Sequence, residues 1–475
     1  MISMFLDENS MPKDDSLLRI KKISELSGID HIAVLPEVHY KKTYSAPTGV
    51  VYVSKNMILP QLIALVINCG MRIVTTPLNV KDINENIIDK IYKNLMKRIS
   101  IKQPQGYVLN DDKVIDIMLK GSQWAVENLP LDVSELDYIE NQGSMFGSGE
   151  IDESLIRSAV PSSVIKAGKY GMEYMGGGGH FIELQVVKEV YDKNVADLLG
   201  LREGQVVFML HSDSGLVGGM VNQFFSFNRI KDAPFLSKLK LDIKKMAYHL
   251  KSPAALLRLF EIYNKFFRAS GIVGIAGDSP SGKMYHYASY AACNFGYVKR
   301  MVLTESLRSS VRDALGESGL RLPLLYDVSH NFIQRQEIEG EKYWIHRHGC
   351  CAALPPSMMS AHPVFSRTGQ PFPLPSSMAT PSYICVGAEG SRASFYSSCH
   401  GSGNVTTPQN DYVTPEAIMS ELKKRNIRLY KHGNVSLIKH SPKRFKDAGL
   451  IARALEKFNI ARTIVKVEPI AAIKE

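Results

Sequence analysis

Tryptophan and cysteine are both scarce in this chain, at two and six residues out of 475. The six cysteines (Cys69, Cys293, Cys350, Cys351, Cys385 and Cys399) follow no regular spacing, which excludes a disulfide framework. They read as small buried hydrophobes in a reducing, cytoplasmic compartment. Apolar runs long enough to span a bilayer are missing as well. The longest, around LPQLIALVINCGM, is too short and is flanked by polar residues. The opening MISMFLDENSMPKDD turns acidic after six residues, unlike a secretory leader, so no membrane role is expected. Repeats of the solenoid type are absent too. What stands out instead is positive charge, a formal net +10, which favours anionic partners such as nucleic acid or nucleotide.

The patterning mixes two periods. Residues 20–75 alternate short apolar runs (HIAVLPEV, TGVVYVS) with turn residues and read as strands or buried segments. Residues 82–126 carry apolar positions at i, i+3 and i+4 and read as helix. A loop-like GSMFGSGE and a further helical stretch follow. Both MGGGGHFIELQVVKEVYD and QVVFMLHSDSGLVGG combine a strand with glycines. Helices return near 235–268 and 283–317, the Pro-, Ser- and Met-rich stretch 345–384 reads as mostly loop, and the C-terminus reads as helix then strand. Without strict βαβ alternation, the fold class is α+β, with one large domain over 1–475 and residues 1–19 as a loosely ordered extension.

One motif is a decoy. GDSPSGKM (277–284) satisfies G-x-x-x-x-G-K, but Met284 stands where a phosphate-binding loop needs a Ser or Thr hydroxyl for Mg²⁺. Asp278 and Ser279 before Pro280 make a good helix start instead.

Five other segments share a local grammar: a Cys or His beside glycines or other small residues, for His211 and His330 at the end of an apolar run. They are VINCGMRI (Cys69), GGGGHFIE (His180), FMLHSDSG (His211), LLYDVSHNF (His330) and SSCHGSGNV (His400). A thiolate and imidazoles suit Zn²⁺, Mn²⁺, Fe or Ni. Taken singly, each is more often a satisfied core residue than a ligand. From the residues alone, the reading stops at a metal-dependent hydrolase or nucleotidyl-transfer enzyme.

The order of the segments goes further. PEVH (36–39), INCGMR (67–72), GGGGHFIE (176–183), HSDSG (211–215), YDVSHN (326–331), HRHG (346–349), LPSSMATPSY (374–383), HGSG (400–403) and the terminal AAIK follow the order seen in one family. The sequence resembles the RtcB family of 3′-phosphate RNA ligases from about residue 20 to the C-terminus. The resemblance implies an RtcB-like α+β domain, with mixed sheets flanked by helices around a central metal and nucleotide cleft. It implies a GTP- and Mn²⁺-dependent ligase, with one or two Mn²⁺ ions, that joins RNA 3′-phosphate or 2′,3′-cyclic phosphate ends to 5′-hydroxyl ends. The family's guanylylated histidine falls on His400, with the glycines beside it making room for a phosphoryl group and a guanosine. Metal ligands fall on Cys69, His180, His211 and His330. Guanylate contacts fall on Phe181, Glu183, Ser377, Ser382, Ser402 and Lys474, while Asn331, His39 and Glu37 line up near the RNA ends. The need for an archease-like activator is left open.

Several positions depart from the family pattern, and they cluster at the site. The family's metal-binding aspartate is replaced by Val66, an asparagine by Gly179 and an arginine by Gly215. His348 and Ala352 stand for a lysine and an arginine, Ser376 for a glycine, and Asn404 for an arginine. Losing basic groups weakens a grip on phosphates, and losing a carboxylate weakens one of two metals. Two alternatives therefore accompany the ligase reading: a diverged paralogue limited to nucleotidyl transfer or RNA-end processing, and a catalytically silent protein that binds RNA ends.

Overall fold

The computed structural model describes residues 1–41, 44–99, 108–147, 151–225, 235–249, 271–405, 414–431 and 437–474. Two sheets organise them. The larger has the order β13 (Pro371–Leu374), β14 (Ser382–Gly387), β17 (Ala461–Lys474), β6 (Phe181–Val190), β7 (Gln205–Ser212), β5 (Gly70–Asn79), β9 (Leu324–Ser329). Neighbours are antiparallel throughout, and β16 (Arg428–Lys431) adds a parallel partner to β17. The smaller sheet has the order β1 (Ile2–Met4), β2 (His31–His39), β3 (Thr48–Ser54), β11 (Glu341–His348), β10 (Asn331–Ile338). Two short pairs stand apart: β4 (Met57–Ile58) with β8 (Ile275–Ala276), and β12 (Cys350–Ala352) with β15 (Ser397–Cys399).

Alternating side chains explain the layering. Ala33 and Leu35 of β2 pack with Val187, Val207, Met209 and Val328 in a core between the two sheets. Their neighbours Ile32 and Val34 turn outward onto Ile20 and Ile23 of the helix Ser16–Ser24. Val206, Phe208 and Leu210 of β7 cover the opposite side, against Ile88, Ile91 and Leu95 of the helix Glu85–Arg98 and Leu303, Leu307 and Val311 of the long helix Pro280–Leu315. The layers thus run helix, small sheet, large sheet, helices. A strand covered on both faces needs apolar residues throughout, so HIAVLPEV and QVVFML read as continuous runs. Each buried Val, Leu or Ile contributes about 1.5–3 kcal/mol to this arrangement.

The α+β class, with mixed sheets flanked by helices, is as expected, and two local readings are corrected. Residues 1–19 are not a loose extension. Ile2, Ser3 and Met4 pair in register with Ile32, Ala33 and Val34, and the first helix starts at Ser16, inside that range. The stretch 345–384, expected mostly as loop, holds the second half of β11 together with β12, β13 and the start of β14. Its prolines Pro371 and Pro373 sit in β13, at the edge of the larger sheet, where a missing N–H leaves no partner stranded. GDSPSGKM is a helix start: Ser279 Oγ accepts from the Gly282 N–H at 3.1 Å and Pro280 is the first helical residue. A Cβ at Gly282 would meet the Ala276 carbonyl oxygen at 2.1 Å, so this glycine packs against its own loop. The later part of the helix expected near 235–268 lies outside the described residues beyond His249.

Candidate active site

Strand order brings the dispersed ligand candidates together. Cys69 directly precedes β5, His180 directly precedes β6, His211 is the penultimate residue of β7, and His330 directly follows β9. In the order β6, β7, β5, β9, antiparallel neighbours place starts and ends at one edge. Phe181 lies opposite His211, and Gly70 lies opposite both Ser212 and Ser329. Cys69 Sγ is 3.3 Å from His180 Nε2 and 3.0 Å from His211 Nε2, and His211 Nε2 is 3.2 Å from His330 Nε2. Burial holds all three imidazoles below their usual pKa, His211 and His330 well below, so they stand as neutral donors. Burial, reinforced by Asp213, pushes the Cys69 thiol well up. Convergent lone pairs with so few protons to share between them fit a cation. Cys69, His211 and His330 offer donor atoms within 4.8 Å of one another, and so do Cys69, His180 and Asp213. A thiolate with imidazoles suits a borderline divalent ion.

The turn that delivers Cys69 is held by groups that the sequence reading missed. Asn68 has φ +56°, and its side-chain oxygen and carbonyl accept from the Arg300 guanidinium at 2.8 and 3.1 Å. Arg300 is fully buried on the long helix, and its other nitrogens reach Asp327 at 2.8–3.1 Å. A Cβ at Gly70 would fall 2.7 Å from the guanidinium carbon, which is why glycine follows the cysteine. Asp327 lay within the quoted YDVSHN without a role, and nothing local in the sequence marked Arg300.

His400 follows β15, and its ring lies 4.4 Å from that of His330, centroid to centroid. Its Nδ1 meets the Gly349 carbonyl oxygen at 2.6 Å and the Glu37 carboxylate at 2.9 Å, while its backbone N–H donates to Glu37 at 2.7 Å. Both partners of Nδ1 only accept, so Nδ1 carries the ring proton and Nε2 keeps its lone pair. Glu37 is fully buried, whereas the His400 side chain is 21 % exposed. Glu37, expected near the RNA ends, thus sits directly against the nucleophile candidate. Lys446, also missed, fixes that segment by donating to the carbonyls of Pro36 and Val38 at 3.1 and 2.8 Å. His39 points Nδ1 back at the Glu37 carbonyl at 2.8 Å, and burial together with nearby Lys41 lowers its pKa to about 3.

The glycines here do not all make room for a ligand. A Cβ at Gly403 would meet the Glu37 carbonyl oxygen at 2.5 Å, and one at Gly349 would meet Thr48 Cγ2 at 2.3 Å. These two let the backbone close around His400. The open positions are Gly178 and Gly179, where a Cβ would meet nothing within 4 Å.

The nucleotide candidates divide. Phe181, Glu183 and Lys474 gather where β6 meets β17: Lys474 Nζ lies 5.3 Å over the Phe181 ring, and Glu183 pairs with Ala472. Burial raises the Glu183 pKa to about 7 against the pull of Gln185 and Lys474, and burial lowers that of Lys474. Asn331 braces the site through its side-chain oxygen, which accepts from the Gly349 N–H at 2.8 Å. Ser377 Oγ shares a 2.7 Å hydrogen bond with Thr380, and Ser382 Oγ accepts from the Ser376 N–H at 3.0 Å, so both engage the loop itself. Ser402 joins this loop through its N–H to the Pro375 carbonyl, and its buried hydroxyl makes no hydrogen bond among the described residues.

Two lysines lie close to the departures. Lys299 Nζ would lie 3.3 Å from a Cβ at Gly215, beside the position of the absent arginine. Lys41 acts on Glu37 and Cys69, and Lys299 on Asp213 and Cys69. His348 is buried against Thr48 at 3.4 Å and against the edge of the Tyr44 ring.

The family model described as "tRNA-splicing ligase RtcB" matches residues 19–475. The curated tRNA-splicing ligase RtcB of Pyrococcus abyssi is 28 % identical over 454 residues, covering 93 % of this chain and 45 % of the relative. Those of Thermococcus kodakarensis and Nanoarchaeum equitans are 26 % and 25 % identical, each covering 98 % of this chain and 92 % of the relative. The chain thus spans less than half the length of the Pyrococcus relatives and nearly all of the other two. No helix among the described residues is long and apolar enough to cross a membrane.

Proposed function

Because the chain belongs to the RtcB family of tRNA-splicing ligases, we propose that it is a GTP- and Mn²⁺-dependent RNA ligase whose covalent nucleotide carrier is His400. The observation that supports this reading best is the tautomer at His400. With Nδ1 committed to Glu37 and Gly349, Nε2 is the nitrogen free to attack. Its attack on the α-phosphorus of GTP forms a P–N bond and expels pyrophosphate, and Glu37 stabilises the positive charge that develops on the ring. The guanylate then passes to an RNA 3′-phosphate, which a 2′,3′-cyclic end yields once water opens its P–O2′ bond, and the 5′-hydroxyl displaces GMP as the strands join. Imidazole serves both halves, being nucleophilic when neutral and a good leaving group once protonated.

A divalent cation held by Cys69, His180, His211 and His330 would polarise the phosphate oxygens and offset their charge. Phe181 and Lys474 border the guanylate, and the Glu183 carboxylate accepts from guanine N1–H and the 2-amino group. Ser377, Ser382 and Ser402 form the loop wall, with Asn331, Glu37 and His39 toward the RNA ends. The net +10 charge favours the polyanionic substrate. The substrates are RNA fragments with 3′-phosphate or 2′,3′-cyclic phosphate and 5′-hydroxyl ends, met in tRNA splicing or repair in the cytoplasm.

A labelled pair of RNA oligonucleotides bearing these ends, incubated with GTP and Mn²⁺, is expected to yield joined product that His400→Ala does not form. One observation favours a second reading: Val66 carries no carboxylate where the family has one. On that reading the chain guanylylates itself or the RNA end and never joins strands. Joined product from the wild type refutes it, and guanylylation without joining supports it over ligation.

A further inference from the structure

We propose that Asp213 is a metal ligand, which with Cys69 and His180 makes a second cation position and supplies the carboxylate that residue 66 lacks. This deepens the metal reading above and rests on it. The donor atoms of these three side chains all lie within 4.8 Å of one another, and Asp213 Oδ2 is 3.5 Å from His180 Nε2. Cys69 also belongs to the set with His211 and His330, so one thiolate borders both positions and can bridge two ions.

The Asp213 carboxylate is built for this placement. Its side chain is only 10 % exposed, and a buried carboxylate must be paired or coordinate a metal. Oδ1 is held by the Gly215 N–H at 2.7 Å, with Lys299 Nζ at 3.5 Å, while Oδ2 turns toward His180. Anchoring one oxygen and presenting the other is how outer groups orient a ligating carboxylate. The lysine contact is long against the about 2.7–2.9 Å of a strong ammonium–carboxylate bond, so Lys299 alone does not account for the aspartate. Gly176, at φ +92°, lets the backbone pass closely: a Cβ there would lie 2.3 Å from His180 Nδ1 and 3.5 Å from Asp213 Oδ1. Val66 presents only methyl groups, one of them 3.9 Å from where a Cβ of Gly219 would stand.

The test is metal stoichiometry on the full chain, stripped with chelator and titrated with Co²⁺. Bound metal is counted by elemental analysis, and the thiolate-to-cobalt charge-transfer band reports the Cys69 bond. The wild type is expected to bind two ions per chain, Asp213→Asn one, and Lys299→Met two. Two ions in Asp213→Asn overturn the proposal and leave the metal reading standing. One ion in Lys299→Met also overturns it, because the aspartate then acts only through its ion pair. No ion in the wild type removes the metal reading and this proposal together. Should Asp213→Asn fail to fold, anomalous scattering from Mn²⁺-soaked wild-type crystals decides. A peak bonded to Cys69, His180 and Asp213 supports the proposal, and one at Cys69 and His180 with Asp213 turned away overturns it.

Discussion

Replacing Glu37 with Gln keeps the shape of the side chain and removes one of the two acceptors that set the His400 tautomer, leaving the Gly349 carbonyl. The carboxylate is fully buried and accepts from the His400 backbone N–H at 2.7 Å and from Nδ1 at 2.9 Å. An amide in its place can offer an NH₂ to Nδ1, which competes with the Gly349 carbonyl and weakens the preference for a free lone pair on Nε2. It also removes the charge that stabilises the cationic ring. A hydrogen bond to a charged group contributes about 1.5–3 kcal/mol, so guanylylation should slow by roughly 10- to 150-fold. Single-turnover transfer of label from α-labelled GTP at saturating GTP and Mn²⁺ measures this rate, and equilibrium binding of GTP measures the ground state. The expected result is a slower rate with GTP affinity unchanged, because Glu37 touches the nucleophile and not the nucleotide. An unchanged rate, or a loss confined to GTP affinity, refutes the reasoning.

Three further outcomes follow from the same geometry. Glu183 has a pKa of about 7 through burial and must be ionised to accept from guanine, so GTP should bind weakly at pH 6 and tighten as pH rises through 7. Calorimetric titration across that range checks this, and Glu183→Gln should flatten the dependence. Arg300→Met removes one of the two buried arginines that hold the Asp327 carboxylate, leaving Arg72 Nε at 3.0 Å, and frees the Asn68 turn, which should cost about 1.5–3 kcal/mol of stability. Denaturant unfolding measures it, and an unchanged midpoint contradicts the role assigned to Arg300. Chelator should lower the melting temperature, since a cation at 100 times its Kd stabilises the native state by about 2.7 kcal/mol; an identical melting curve contradicts a cation bound at these residues.

Some of this was legible in the sequence, for physical reasons that differ by element. Cys69, His180, His211 and His330 were visible because each borders an apolar run beside small residues, and strands with both faces covered make such runs conspicuous. Their convergence was not legible, because one ligand per strand leaves no short spacing to detect. The expected loop at 345–384 concealed β13 because prolines are tolerated on a sheet edge. β1 was missed because three residues carry too little periodicity to register. Asp213 stood in plain view within HSDSG, yet only the fold turns its carboxylate toward His180. Arg300 and Lys299 lie on a helix buried along much of its length, and their partners are far away in sequence. The glycines around His400 suggested open space, whereas Gly349 and Gly403 serve close backbone packing and the open positions are Gly178 and Gly179.

The central claim is a covalent bond between His400 Nε2 and guanylate. The most direct measurement is mass spectrometry of the protein after incubation with GTP and Mn²⁺, with the adduct mapped to a single residue under alkaline conditions that preserve a phosphoramidate. The account predicts one guanylate on the peptide containing His400, lost on brief acid treatment and absent from His400→Ala. An unmodified protein across a series of divalent metals, or an adduct that persists in His400→Ala, contradicts it.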